Sequence, residues 1–262
     1  MIGLVIAAIA IGSYFVTTKK ELNPVTGENQ RLMLTPQQEV ALGLQAAPEM
    51  AAQHGGEHPD AQIQAVVDEI GNKLVAANSD GPAADVFRHY RFDFHVLRDA
   101  QTVNAFALPG GQVFFTYGLM RHLKTKDEIA GVLGHEIGHV VGRHSNEQMA
   151  KSKLWAGLAQ AGAVAGSDYT ASSGQIAQLV YTMKTTKFGR DDENQADELG
   201  VKFMHRAGYN PDALIRVMEV LKSAGGGGGQ PEFFSTHPDP GNRIEHIKEV
   251  IAKVRSGEQK KR

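Results

Sequence analysis

Residues 135–145 read HEIGHVVGRHS, with three histidines and a glutamate in one short stretch. Two different metal sites can be written with these letters. On a helix, His135 and His139 lie one turn apart on one face, where two imidazoles can share a zinc ion. Glu136 projects about 100° further round the helix, so it can reach a metal-bound water without being a ligand. Zinc brings the pKa of such a water to about 7, and Glu136 would then take its proton as general base. The flanking Ile129, Ala130, Val132, Leu133, Ile137, Val140 and Val141 mark a buried helix. Histidines and a glutamate buried there need compensation, either as satisfied core groups or as a metal site.

The third ligand decides the class. A metzincin-type site within one stretch follows HExxHxxGxxH, which puts the last histidine at position 145. Gly142 fits that pattern, but residue 145 is serine and His144 comes one position early. On a helix that continued, His144 would lie about 140° from His139 and face away from the metal. An acid from a second helix is the other solution, and FGRDDENQADELG at 188–200 offers one. Glu193 and Asp197 are four apart and share a face, with Ala196 and Gly200 small enough for close helix approach. Glu193 would complete a His₂Glu set with a fourth position left for water. Asp197 could hold the outer nitrogen of a ligand histidine. The same acids are also what a helix dipole favours in a first turn.

The rest of the chain sets the frame. It has 262 residues, 42% hydrophobic and 21% charged, enough for one large domain or two small ones. A net charge of -2 gives no reason to expect nucleic acid as a partner. There is no cysteine, which excludes disulfides, thiolate ligands, a cysteine nucleophile and a lipid-modified cysteine. Residues 2–16 are apolar or small throughout and read as an export signal or a membrane anchor, with Lys19-Lys20 behind them. Residues 17–34 read as a linker, so residues 1–22 are taken as signal or anchor with linker, and 23–256 as the folded domain. Thr35-Pro36-Gln37-Gln38 and Thr125-Lys126-Asp127-Glu128 are capping boxes that open helices. Periodicity places further helices over about 63–78, 146–165, 174–187, 191–207, 211–223 and 241–255. Alternation at 90–96 and around the Leu108-Pro109-Gly110-Gly111 turn gives three strands, and the five glycines at 225–229 a loop. The fold class is α+β, mainly helical with a small three-stranded sheet.

HEIGHVVGRH and GRDDENQADELG, with Ser235-Thr236-His237-Pro238, Arg243-Ile244 and NAFALPGG at 104–111, resemble zinc metalloendopeptidases of the HtpX and CAAX-prenyl-protease type. Asn23-Pro24-Val25-Thr26-Gly27 resembles their periplasmic BepA-like and LoiP-like branch. The resemblance implies a gluzincin fold and one zinc per chain, held by His135, His139 and Glu193. It implies Glu136 as general base and Asp197 as the partner of His135. It further implies polypeptide substrates, often misfolded or unassembled envelope proteins, a periplasmic location in the cell envelope, and possible contact with envelope assembly machinery. The strand carrying Asn104, Ala105 and Phe106 could bind an extended substrate by strand addition, or be a plain hairpin. His237 or Arg243 could stabilise the oxyanion, and His237 could instead occupy the fourth metal position and hold the enzyme latent. A rival from another class is an assembly factor whose zinc is structural.

Overall fold

The computed structural model describes residues 2–80, 84–162, 187–224, 231–238 and 241–257. From the N-terminus it runs through α1 (Ile2–Thr17), β1 (Lys19–Leu22), β2 (Asn29–Leu32), α2 (Pro36–Gln53), α3 (Ala61–Asn78) and α4 (Ala84–His89). Then come β3 (Asp93–Leu97), β4 (Ala105–Ala107), β5 (Gln112–Thr116), α5 (Tyr117–Met120), α6 (Lys126–Val141) and α7 (His144–Gly162). The chain closes with α8 (Arg190–Arg206), α9 (Asp212–Ala224), α10 (Phe233–Thr236) and α11 (Arg243–Arg255). The helix expected over 174–187 and the pentaglycine loop lie outside the described residues, except for Lys187, which is not helical.

Both capping boxes form. Thr35 caps α2 with Gln38 returning to its backbone, and Thr125 caps α6 with Glu128 returning likewise. Every residue of α6 from Glu128 to Val141 is buried. The helix packs against α3, α8 and α9, and Leu133, Ile137 and Val141 have no exposed surface. Each such aliphatic side chain contributes about 1.5–3 kcal/mol through burial. The small residues of α8 serve the close approach expected of them. A Cβ on Gly138 would sit 3.0 Å from the Ala196 carbonyl oxygen, and one on Gly200 would sit 3.1 Å from the His135 nitrogen. The α6–α8 crossing therefore carries HEIGH and DDENQAD face to face.

The three-stranded sheet has the order β3-β5-β4, parallel between β3 and β5 and antiparallel between β5 and β4. The expected turn closes the second pair: the Gly111 amide donates to the Leu108 carbonyl at 3.3 Å, and Gly110 has φ 84°. That is a type II geometry, open to glycine at the third position. β3 starts at Asp93, later than the alternation suggested, and ahead of it the Tyr90 hydroxyl donates to Glu39 at 2.6 Å.

Residues 17–34 are not a linker. β1 and β2 form an antiparallel hairpin, with Lys19 opposite Leu32 and Leu22 opposite Asn29, so the folded unit includes β1 and crosses the expected boundary at residue 22. The hairpin is held by the end of the histidine helix. Asn23 donates to the Val141 carbonyl at 2.8 Å and Gln30 to the Gly142 carbonyl at 2.6 Å, which satisfies acceptors that a helix terminus leaves open. Arg143 adds bonds to Glu21 at 2.9 Å, Glu39 at 3.2 Å and the Leu34 carbonyl at 2.6 Å. Strands of four residues carry too little alternation to register in sequence, and the partners that order them are more than a hundred residues away. α1 packs along α7. No helix among the described residues is long and apolar enough to cross a membrane.

Candidate metal centre

α6 presents His135, Glu136 and His139; α8 presents Glu193 and Asp197; the segment around α10 and the start of α11 present His237 and Arg243. All seven are buried. One donor atom each from His135, His139, Glu193 and His237 lies within 4.8 Å of the others. His139 Nε2 is 3.1 Å from His135 Nε2 and 3.4 Å from Glu193 Oε1, while His135 Nε2 is 3.6 Å from Glu193 Oε2. The Nδ1 of His237 joins them, 3.0 Å from Glu193 Oε1 and 3.4 Å from His135 Nε2. Two imidazoles and a carboxylate converging in a buried pocket suit a divalent metal, and a third imidazole takes a fourth position.

Behind the donors, His135 Nδ1 is 2.9 Å from Asp197 Oδ1, which fixes Nε2 as the nitrogen free for a metal. Arg243 grips Asp197 with Nε at 2.8 Å and Nη2 at 2.7 Å, and reaches Glu193 Oε2 with Nη1 at 2.8 Å. Burial opposes ionisation of Glu193, yet His237 and Arg243 hold its carboxyl well below the usual carboxylate range. Asp197 is lowered in the same way, with Arg243 and His135 outweighing burial. Burial pushes His139 well below the ordinary histidine value, so it stays neutral as a ligand must.

Glu136 differs from the other acids. It has no exposed surface, and neither carboxylate oxygen has a hydrogen-bond partner among the described residues. His237 Nε2 lies 3.7 Å from Oε1, and burial raises the pKa of Glu136. A buried carboxylate without a donor is costly, and a base that must take a proton from water beside a metal calls for that arrangement. The residues present therefore fit a metal and its water.

A cleft of about 220 Å³ opens onto Glu136, His139 and His237, walled by Met50, Phe106 and Phe188. β4 is an edge strand among the described residues. Its bonds to β5 pass through Asn104, whose carbonyl accepts from Thr116, and Leu108, whose amide donates to Gln112. The antiparallel alternation then turns the backbone groups of Val103, Ala105 and Ala107 outward. The Val103 carbonyl accepts from the Phe233 amide at 3.2 Å, so the His237 segment already leans on that edge. Asn104 is buried; its amide donates to Glu232 at 3.1 Å, and its Oδ1 has no hydrogen-bond partner among the described residues. Phe106 lines the cleft, whereas the Ala105 side chain lies in the core.

Two features were not read from the sequence. Phe188 stacks on His139 with ring centroids 4.2 Å apart, and Phe233 stacks on His237 at 4.5 Å. A lone aromatic ahead of an acidic helix gives no signal of that role. His144 is not among the converging donors, but it does not face away from them. The helix ends at Val141 and Arg143 takes a left-handed φ of 57°, which turns His144 back toward His139.

The chain matches the model of peptidase family M48 over residues 57–251. It is 29% identical to the mitochondrial metalloendopeptidase OMA1 of Schizosaccharomyces pombe over 94% of this chain and 70% of the relative. It is 30% identical to the beta-barrel assembly-enhancing protease of Yersinia pestis over 86% of this chain and 46% of that protein. With metalloprotease YcaL of Escherichia coli it shares 34% identity over 57% of this chain and 59% of the relative. The chain thus spans about half the length of the latter two. With the donor set of α6 and α8 lying inside the matched region, the chain belongs to peptidase family M48.

Proposed function

We propose that the chain is a zinc-dependent endopeptidase for extended polypeptide segments. The observation that carries this is Glu136, a buried carboxylate without a hydrogen-bond partner among the described residues, beside two imidazoles and a carboxylate that converge. His135, His139 and Glu193 would hold one zinc, which polarises the scissile carbonyl and acidifies water. Glu136 takes the water proton, its raised pKa making it a stronger base, and passes it to the leaving amine. Asp197 fixes His135, and Arg243 holds Asp197 and Glu193 in place. The outward backbone of Ala105 and Ala107 would pair with an extended substrate, Asn104 Oδ1 would accept a substrate amide, and Phe106 would line the side-chain pocket. Recognition through backbone suits unfolded chains of varied sequence.

The test is digestion of unfolded casein by the full chain. Cleavage should vanish on chelation and return with added zinc; casein left intact by zinc-loaded protein would count against the reading.

For His237, its Nδ1 among the donors and its Nε2 toward Glu136 support a closing role over oxyanion help. His237→Ala should then raise casein cleavage, by about tenfold if the closed form holds nine tenths of the population. A large loss would support the oxyanion role instead.

We further propose that the enzyme works in the cell envelope, exported or anchored through residues 2–16, with misfolded or unassembled envelope proteins as substrates and assembly machinery as a partner. The name of the Yersinia relative, a beta-barrel assembly-enhancing protease, supports this. The folded unit over 23–256, joined by β1, would be the peptidase domain.

A further inference from the structure

His139 and His144 are five residues apart, yet their rings meet. The Nδ1 of His144 is 2.8 Å from the Nδ1 of His139, and its Nε2 is 2.9 Å from Oε1 of Gln195. Three local features produce this contact. Arg143 adopts the left-handed φ of 57°, rare for a residue with a side chain, and its guanidinium is held there by Glu21, Glu39 and the Leu34 carbonyl. Gly142 leaves room for the returning ring, since a Cβ there would sit 2.6 Å from His144 Nε2 and 2.8 Å from its Cε1. His144 itself is buried, with 1% of its surface exposed. A metzincin-like glycine thus serves another purpose in this chain.

We propose that His144 is a positioning residue which, together with Gln195, fixes the tautomer of His139. The inference rests on the zinc-site reading above and deepens it. The Nε2 of His139 lies among the converging donors, so its lone pair must be there and its proton on Nδ1. That proton has His144 Nδ1 as its acceptor, which places the His144 proton on Nε2, where Gln195 Oε1 accepts it. Reversing any member reverses the whole chain. A His144 protonated on Nδ1 would force His139 to accept there, moving the His139 proton onto Nε2 and removing the metal donor. α8 therefore acts three times on the two ligand histidines: through Glu193 beside them, through Asp197 on His135, and through Gln195 and His144 on His139. The two ligands differ in kind, since His135 meets a carboxylate and His139 a neutral imidazole. The second arrangement fixes geometry without adding charge to the site.

Two measurements on the full chain test this. Long-range ¹H–¹⁵N spectra of the zinc-loaded protein should show His144 as the Nε2–H tautomer and His139 protonated on Nδ1. A His144 protonated on Nδ1, or a His139 bound through Nδ1, overturns the proposal. In competition with a chromogenic chelator, His144→Ala should bind zinc about 10–100-fold more weakly. His144→Asn keeps an acceptor near the place of Nδ1 and should recover most of that loss. Equal loss in both variants reduces His144 to packing, and unchanged affinity in the Ala variant removes its role; either overturns the proposal. Should His144→Ala fail to fold, the spectra of the unaltered chain still decide. His139→Ala is the control: if it binds zinc as tightly as the unaltered chain, the metal-site reading itself has failed, and this inference with it.

Discussion

Glu136→Gln should reduce casein cleavage by at least about 10²–10⁴-fold while leaving zinc binding in place. The amide keeps the size and polarity of the carboxylate but cannot take a proton from water. No hydrogen bond is lost with it, because neither Glu136 oxygen has a hydrogen-bond partner among the described residues, and what goes is the 3.7 Å ion pair with His237. The ligands stay anchored by groups that do not include Glu136: Asp197 on His135, and Arg243 on Asp197 and Glu193. The melting temperature should hold or rise, since a buried carboxylate whose pKa is raised by burial is harder to accommodate than a neutral amide. Hydrolysis, zinc content and thermal unfolding, measured on the same preparation, check the three parts. A variant that keeps zinc and full biological activity would show that hydrolysis is not the function. The chain would then be an assembly factor with structural zinc.

The site was legible where chemistry lies in local spacing. His135, Glu136 and His139 are adjacent on one helix, and Glu193 with Asp197 form a second i, i+4 pair whose small neighbours announce a close crossing. Such patterns survive without tertiary knowledge because a helix repeats every 3.6 residues. The helix starts at Thr35 and Thr125 were legible for the same reason, since a capping box spans four residues.

What could not be read depends on one backbone angle or on distant partners. The orientation of His144 followed from assuming that α6 continued, and a single left-handed arginine reverses it. That arginine is held by Glu21, Glu39 and Leu34, none of which a local window includes. The hairpin of β1 and β2 passed for a linker because its order comes from capping the carbonyls of Val141 and Gly142. The turn-rich composition of 23–28 described its tip correctly and hid its strands.

Arg243 carries the second large effect, on stability and metal affinity together. Only 1% of it is exposed, and its guanidinium spans Asp197 and Glu193, both with no exposed surface. Removing one member of a buried ionic group leaves the others uncompensated, at a cost of about 3–5 kcal/mol. Arg243→Ala leaves two buried carboxylates on one helix face, one turn apart, without the arginine between them, so it should unfold at clearly lower temperature. The drop should be larger in metal-free protein, because a bound cation offsets the charge of Glu193 but not that of Asp197. Zinc affinity should fall as well, since Asp197 loses the fork that aims it at His135. Arg243→Lys should recover only part of both effects, as one ammonium cannot hold two carboxylates with the geometry of a planar fork. Thermal melts with and without zinc, and chelator competition, measure each quantity. A variant with unchanged melting and zinc affinity but a depressed kcat would move Arg243 from holding the carboxylates to stabilising the oxyanion. The two charge-assisted hydrogen bonds to Asp197 at 2.7–2.8 Å, with the Glu193 ion pair at 2.8 Å, argue for the holding role.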